Sequence, residues 1–223
     1  MKNQEVRYLL EDIFDEYIIN DIKKKTEKDI YNYEIKNIDE LLNIFLLYIK
    51  QHYYIYNDYM VSKISNYYGK HKNFTRFLLI CISIFDEKED ICDIVQKYKF
   101  CELSNWHIEH IIPQSQEYNK FNTKNSKLIN RLGNLTLLTK NTNIKISNKS
   151  HYKKCKTVTC ETDTCEKSLR INQVFLKKKS NFSKVDIHNR EKELNDIIFE
   201  IFFKENGKLL KEKLTDYINK KCN

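Results

Sequence analysis

Two stretches decide how this chain is read. The first is Trp106-His107-Ile108-Glu109-His110-Ile111-Ile112-Pro113-Gln114. The second is Gly133-Asn134-Leu135-Thr136-Leu137-Leu138-Thr139, followed by Asn141, Asn143 and Asn148. Residues Trp106 to Ile112 are short, apolar and ended by the chain's single proline, which suits a strand entering a turn. Residues 115–131 are polar and read as a loop with a short helix. Asn134–Thr139 after Gly133 reads as a second short strand, and Asn141 to Tyr152 as a helix. A zinc-protease helix is the competing reading, because His107 and His110 are three apart. Such helices carry His-Glu-x-x-His, whereas here the glutamate sits between the histidines at the wrong spacing, and Pro113 opposes a helix.

A strand, loop, strand and helix in that order carry a recognisable chemistry. Glu109 is a hard oxygen ligand of the kind that Mg²⁺ takes. The neutral imidazole of His110 can accept a proton from an attacking water near neutral pH. An amide oxygen from the following helix, with Asn143 as the donor, can complete the protein side of a metal site. Such a cation offsets charge on a scissile phosphate and on its leaving oxygen.

Outward from these stretches the periodicity is helical. Val6, Leu9, Leu10, Ile13, Phe14 and Tyr17 share one face, as do Ile38, Leu41, Leu42, Ile44, Phe45 and Tyr48. Phe74 to Phe85 is apolar nearly all round and is expected to be a buried central helix. Asp90 to Tyr98 adds a short helix, and the first hundred residues as a whole read as helices. Tyr53, Tyr54, Tyr56, Tyr67 and Tyr68 are expected to pack or cap this bundle. Ile187 to Phe203 and Leu209 to Ile218 close the chain as amphipathic helices.

The chain has 223 residues, 41% hydrophobic and 31% charged, enough to bury a real core. It lacks alanine and holds three glycines and one proline, the pattern of an A+T-rich coding genome. Abundant lysine and asparagine therefore carry less meaning than usual. The net charge of +8 is uneven: Lys120 to Lys184 holds 16 basic and 3 acidic residues. That block reads either as a surface for a polyanion or as a solvated lysine-rich face. No apolar run reaches the roughly 20 residues of a membrane-spanning helix, and the acidic amphipathic start is unlike a signal peptide. An intracellular, cytoplasmic protein is expected, with a nuclear location also open. Seven irregularly spaced cysteines read as reduced thiols. Cys155, Cys160 and Cys165 are marginally compatible with structural Zn²⁺, but a variable loop is the expected reading.

Glu-His-Ile-x-Pro, then Gly-Asn-Leu-x-Leu-Leu, then an asparagine nine positions after the first, resembles the ββα-metal (HNH, His-Me finger) nuclease motif. More narrowly, His107-Ile-Glu-His-Ile-x-Pro-Gln114 with Asn143-x-x-x-x-Asn148-Lys149 is similar to the C-terminal nuclease domain of GmrSD-type modification-dependent restriction enzymes. Arg76-Phe-Leu-Leu and Ile187-x-x-Arg190-x-x-x-Leu194 look like that domain's flanking elements, so the resemblance spans roughly residues 72–205. It implies a mainly α fold with a small ββα-metal unit (α+β). The expected organisation is an N-terminal helical region at 1–71, the nuclease domain at 72–205 with its ββα core at about 104–154, and a C-terminal helix at 206–223.

It further implies that His110 is the general base, that Asn134 orients the loop, and that Glu109 and Asn143 hold the metal. His107 is either a further ligand or structural support. Lys145, Asn148, Lys149, Lys153 and Lys154 are candidate DNA contacts. The implied activity is metal-dependent DNA hydrolysis with Mg²⁺ or Mn²⁺, in restriction or defence, with RNA still open as a substrate. Many ββα nucleases have aspartate where Glu109 stands, which changes the ligand's reach. GmrSD-type enzymes also carry a nucleotide-hydrolysing domain. No Gly-x-x-x-x-Gly-Lys loop occurs here, so that function is expected to be absent or to belong to a separate specificity subunit. The alternative is a nucleic-acid- or partner-binding module with a degenerate nuclease core.

Overall fold

A computed structural model describes residues 3–28, 37–56, 59–85, 90–102, 105–114, 126–158, 169–176 and 182–221. The described chain is mainly helical with two small antiparallel sheets. It divides into two compact units. One gathers residues 1–64, 80–102 and 195–223, the other residues 65–79 and 103–194.

The first unit contains α1 (Asn3–Ile13), α2 (Glu16–Thr26), α3 (Ile38–Lys50), the hairpin β1 (Tyr53–Tyr56) and β2 (Tyr59–Ser62), and the later helix Ile91–Tyr98. Asp15 caps α2 by accepting from the Tyr17 and Ile18 amides, and Asn37 caps α3 by accepting from Glu40. Such caps satisfy orphan donors of the first turn. The apolar stripes expected of α1 and α3 are buried at Leu9, Leu10, Ile13, Phe14, Leu41, Leu42, Ile44 and Phe45, although Tyr17 is exposed. Phe14 meets Phe45 edge to face at 5.8 Å. The Tyr48 hydroxyl inside this packing donates to Asp21.

One expectation is corrected here. The first hundred residues are not helical throughout, because Tyr53–Ser62 pairs as a hairpin with Tyr53 opposite Ser62. Its aromatic and β-branched residues favour a pleated strand. Tyr53 and Tyr67 are buried, while Tyr54 is exposed.

The second unit carries β3 (Trp106–His110), β4 (Leu135–Thr139) and three short helices, Ser126–Ile129, Lys140–Ile146 and His151–Lys156. β3 and β4 pair antiparallel with Trp106 opposite Thr139 and His110 opposite Leu135. Leu138 of β4 joins a core that includes Ile111, Ile112, Ile146, Cys155, Phe175 and Ile187, and Trp106, Ile108, Leu135 and Leu137 are buried as well. The helix expected over Asn141–Tyr152 is broken in two, because Ser147 takes a positive φ of 38° and closes the first segment on the Asn143 carbonyl. Three further helices are Lys72–Ile84, Lys184–Phe202 and Lys208–Lys221. In all, the fold is mainly α with a small antiparallel strand pair, as expected. The loop at 115–125, Cys160 and Cys165 lie outside the described residues.

Candidate active site

The alternation of β3 buries Trp106, Ile108 and His110 and leaves His107 and Glu109 half-exposed on the other face. A strand of period two produces this directly. The helix Lys140–Ile146 starts immediately after β4, capped by the Thr139 hydroxyl, which accepts from the Thr142 amide at 3.3 Å. Asn143 lies one turn in and its amide donates to Nδ1 of His107 at 3.4 Å. With Nδ2 engaged there, the amide Oδ1 remains as an acceptor.

Asn134 is fully buried at 0% exposure. Its Oδ1 accepts from the Ile112 amide at 2.8 Å, and its Nδ2 donates to the carbonyls of Ile112 at 3.1 Å and Ile129 at 2.8 Å. One side chain therefore joins the end of β3 to the segment leading into β4. Buried backbone groups need partners, and Asn134 supplies them for the turn after His110.

His110 is buried, and its Nε2 lies 2.9 Å from Oδ1 of Asn130. The Tyr68 ring meets the imidazole at a 4.5 Å centroid separation and 62°. Burial pushes the His110 pKa down to about 4, with the Lys154 charge adding to the fall and the Asn130 hydrogen bond opposing it. The ring is therefore neutral at physiological pH, the state a proton acceptor requires.

Glu109 pairs with the ammonium of Lys154, which also donates to the His110 carbonyl at 2.5 Å. The Lys154 side chain is completely buried, whereas Lys145, Asn148 and Lys153 are exposed and Lys149 is half-buried. Burial pushes Glu109 up and Lys154 down, each against the other's attraction. That is the behaviour of an ion pair whose desolvation outweighs its Coulombic gain. The His107 pKa is lowered by burial first, then by Arg76, Lys140 and Lys72. Positive charge thus gathers around the half-exposed face of β3.

Supporting groups hold this arrangement from behind. Arg190 donates to the carbonyls of Gly133, Leu135 and Ile171 at 3.0, 2.9 and 2.8 Å. Arg76 donates to the Trp106 carbonyl at 3.0 Å. Thr136, opposite Glu109, donates to Asn172, whose amide in turn donates to the Leu137 carbonyl at 3.0 Å. Asn130 and Asn172 were not singled out from sequence, and Tyr68 was expected to pack or cap the N-terminal helices, not to meet His110. The two stand among many asparagines, and Tyr68 lies nearly forty residues before the motif.

The donors present suit a hard divalent cation. Glu109 meets Lys154 through one carboxylate oxygen and also takes a hydrogen bond from the His110 amide, and Asn143 retains its amide oxygen. Mg²⁺ is commonly held by one or two such groups with water and substrate phosphate completing the shell. Among the described residues no cluster of three His, Cys, Asp or Glu could hold a metal ion.

A short strand pair followed by a helix thus carries a carboxylate and an amide at the half-exposed face of β3, with a neutral histidine buried at the end of that strand. The family of GmrSD restriction endonucleases, C-terminal domain, matches residues 20–197, and the chain belongs to that family. Membership carries a nuclease role, with DNA as the class of substrate and divalent cations as the typical requirement. Neither a curated protein nor a solved structure matches the chain. No helix among the described residues is long and apolar enough to cross a membrane.

Proposed function

We propose that this chain is a metal-dependent DNA endonuclease of the HNH type, acting in restriction or defence, with its active site on the half-exposed face and C-terminal end of β3. The observation that carries the reading is the convergence of Glu109, His107 and Asn143 on that face, with neutral His110 closing the strand. Glu109 and Asn143 would hold Mg²⁺ or Mn²⁺, with His107 orienting the Asn143 amide. The cation, when bound, offsets charge on the scissile phosphate and the leaving oxygen.

The remaining work belongs to the chain. His110 removes a proton from the attacking water, and a phosphodiester beside it favours the imidazolium that results. Asn134 keeps the turn after His110 in place by satisfying Ile112 and Ile129. Lys154 fixes the Glu109 carboxylate from inside, while Lys145, Lys149 and Lys153, with Asn148, contact the DNA backbone. A separate nucleotide-hydrolysing subunit would supply target selection, and a cytoplasmic location fits that task.

The test is conversion of supercoiled plasmid in Mg²⁺, Mn²⁺ or EDTA, with Glu109→Gln and Asn143→Ala alongside. Cleavage that needs the cation and drops at least tenfold in both variants is expected. Cation-independent cleavage, or full activity in both, would contradict the metal site. The Lys154–Glu109 pair favours a second reading, a DNA-binding module whose carboxylate is consumed internally. Salt-sensitive DNA binding without cleavage by the wild type would support it.

A further inference from the structure

His110 is held by a chain of contacts that starts outside the motif. The Thr75 hydroxyl donates to the Tyr67 carbonyl at 2.7 Å, and the Tyr67 amide donates to the Asn130 carbonyl at 2.8 Å. Asn130 then presents its side-chain Oδ1 to Nε2 of His110 at 2.9 Å. The adjacent Tyr68 ring stands edge-on against the same imidazole. Tyr67 and Thr75 are buried, so the Asn130 backbone is anchored independently of its own side chain.

We infer that Asn130 is a positioning residue that fixes the tautomer of His110, placing the proton on Nε2 and leaving Nδ1 as the proton-accepting nitrogen. An amide oxygen is only an acceptor, so the ring nitrogen facing it must carry hydrogen. In a neutral imidazole the other nitrogen then holds the lone pair, and which one it is follows from the partner. Tyr68 restricts rotation of the ring that would exchange the two nitrogens. The assignment deepens the nuclease reading and rests on His110 being its base, but the tautomer itself can be read without any cleavage.

The experiment is long-range ¹H–¹⁵N correlation NMR of the full chain at pH 7.5 without metal, on wild type, Asn130→Asp and Asn130→Leu. Signals are assigned to His110 by their loss in His110→Gln. The Nε2–H form is expected in wild type and in Asn130→Asp, which keeps the acceptor. A mixture of tautomers is expected in Asn130→Leu. Plasmid cleavage should fall about 10–100-fold in kcat for Asn130→Leu, with KM unchanged and with Asn130→Asp restoring activity. Wild type carrying its proton on Nδ1 would overturn the inference, and so would Asn130→Leu with an unaltered tautomer. If Asn130→Leu does not fold, wild type and Asn130→Asp decide the matter. A wild type with the Nε2–H tautomer but no cleavage would support the positioning and contradict the nuclease reading.

Discussion

Three bonds made by one amide set the local cost of losing Asn134. In Asn134→Ala the Ile112 amide and the carbonyls of Ile112 and Ile129 lose their partner in a water-free place. Destabilisation of about 2–4 kcal/mol is expected, following the 1–3 kcal/mol of a single buried unsatisfied group, and chemical denaturation measures it. The Glu109–Lys154 pair behaves differently. Lys154→Met leaves the half-buried Glu109 carboxylate without its cation and should cost up to about 3 kcal/mol, whereas the double variant Lys154→Met with Glu109→Gln should regain most of it. Equal losses in single and double variants would show that the pair is not coupled. His110 adds a pH signature. Its folded pKa of about 4 lies below the unfolded 6.5, so the unfolded chain binds more protons between those values. Stability from this group is full above about pH 6.5 and declines as pH falls toward 4. In His110→Gln the slope of stability against pH should flatten over that interval.

Gly133 shows how one element fits against another. A Cβ there would stand 1.9 Å from the Ile187 carbonyl oxygen and 2.9 Å from the Glu191 amide, both backbone atoms of the helix Lys184–Phe202. Gly133→Ala must push that helix away, breaking the Arg190 contacts as it does so. A loss of roughly 3 kcal/mol is expected, the upper range for overpacking, with cleavage reduced in parallel. Near-native stability in Gly133→Ala would contradict this close packing. The Gly133-Asn134-Leu135 motif was legible in sequence as a strand entrance, yet the reason for its glycine lies in a helix more than fifty residues away. The helices at Ile38–Lys50 and Lys184–Phe202 were legible because their apolar positions recur at the helical period, and β3 because a short apolar run ends at Pro113. The Tyr53–Ser62 hairpin was not, since a short tyrosine-rich run has no period that separates strand from helix. The break at Ser147 was hidden for another reason: a positive φ in a non-glycine residue leaves no compositional trace. Within the site, His107, Glu109, His110, Asn134 and Asn143 were visible as motif positions. Their partners Asn130 and Tyr68 were not, because tertiary contact alone distinguishes them.

At the scale of the whole molecule, every candidate site residue belongs to the unit formed by residues 65–79 and 103–194. The basic block from Lys120 to Lys184 lies within it. If Lys145, Lys149 and Lys153 contact phosphates, each substitution to alanine should weaken DNA binding at all sequences. Each should also reduce the slope of log affinity against log salt by about 1. Unchanged slopes would make those lysines a solvated face. Nuclease family membership, a neutral buried histidine beside a half-buried carboxylate, and an amide from the following helix converge on one claim: His110 is the base of a metal-assisted DNA cleavage. Supercoiled-plasmid conversion in Mg²⁺ and in EDTA, comparing wild type with a His110→Ala variant shown to be folded by circular dichroism, tests it most directly. Nicking by wild type in Mg²⁺ alone, reduced about 10²–10⁴-fold in the variant, is the predicted result. A folded His110→Ala protein that still cuts at the wild-type rate would contradict it.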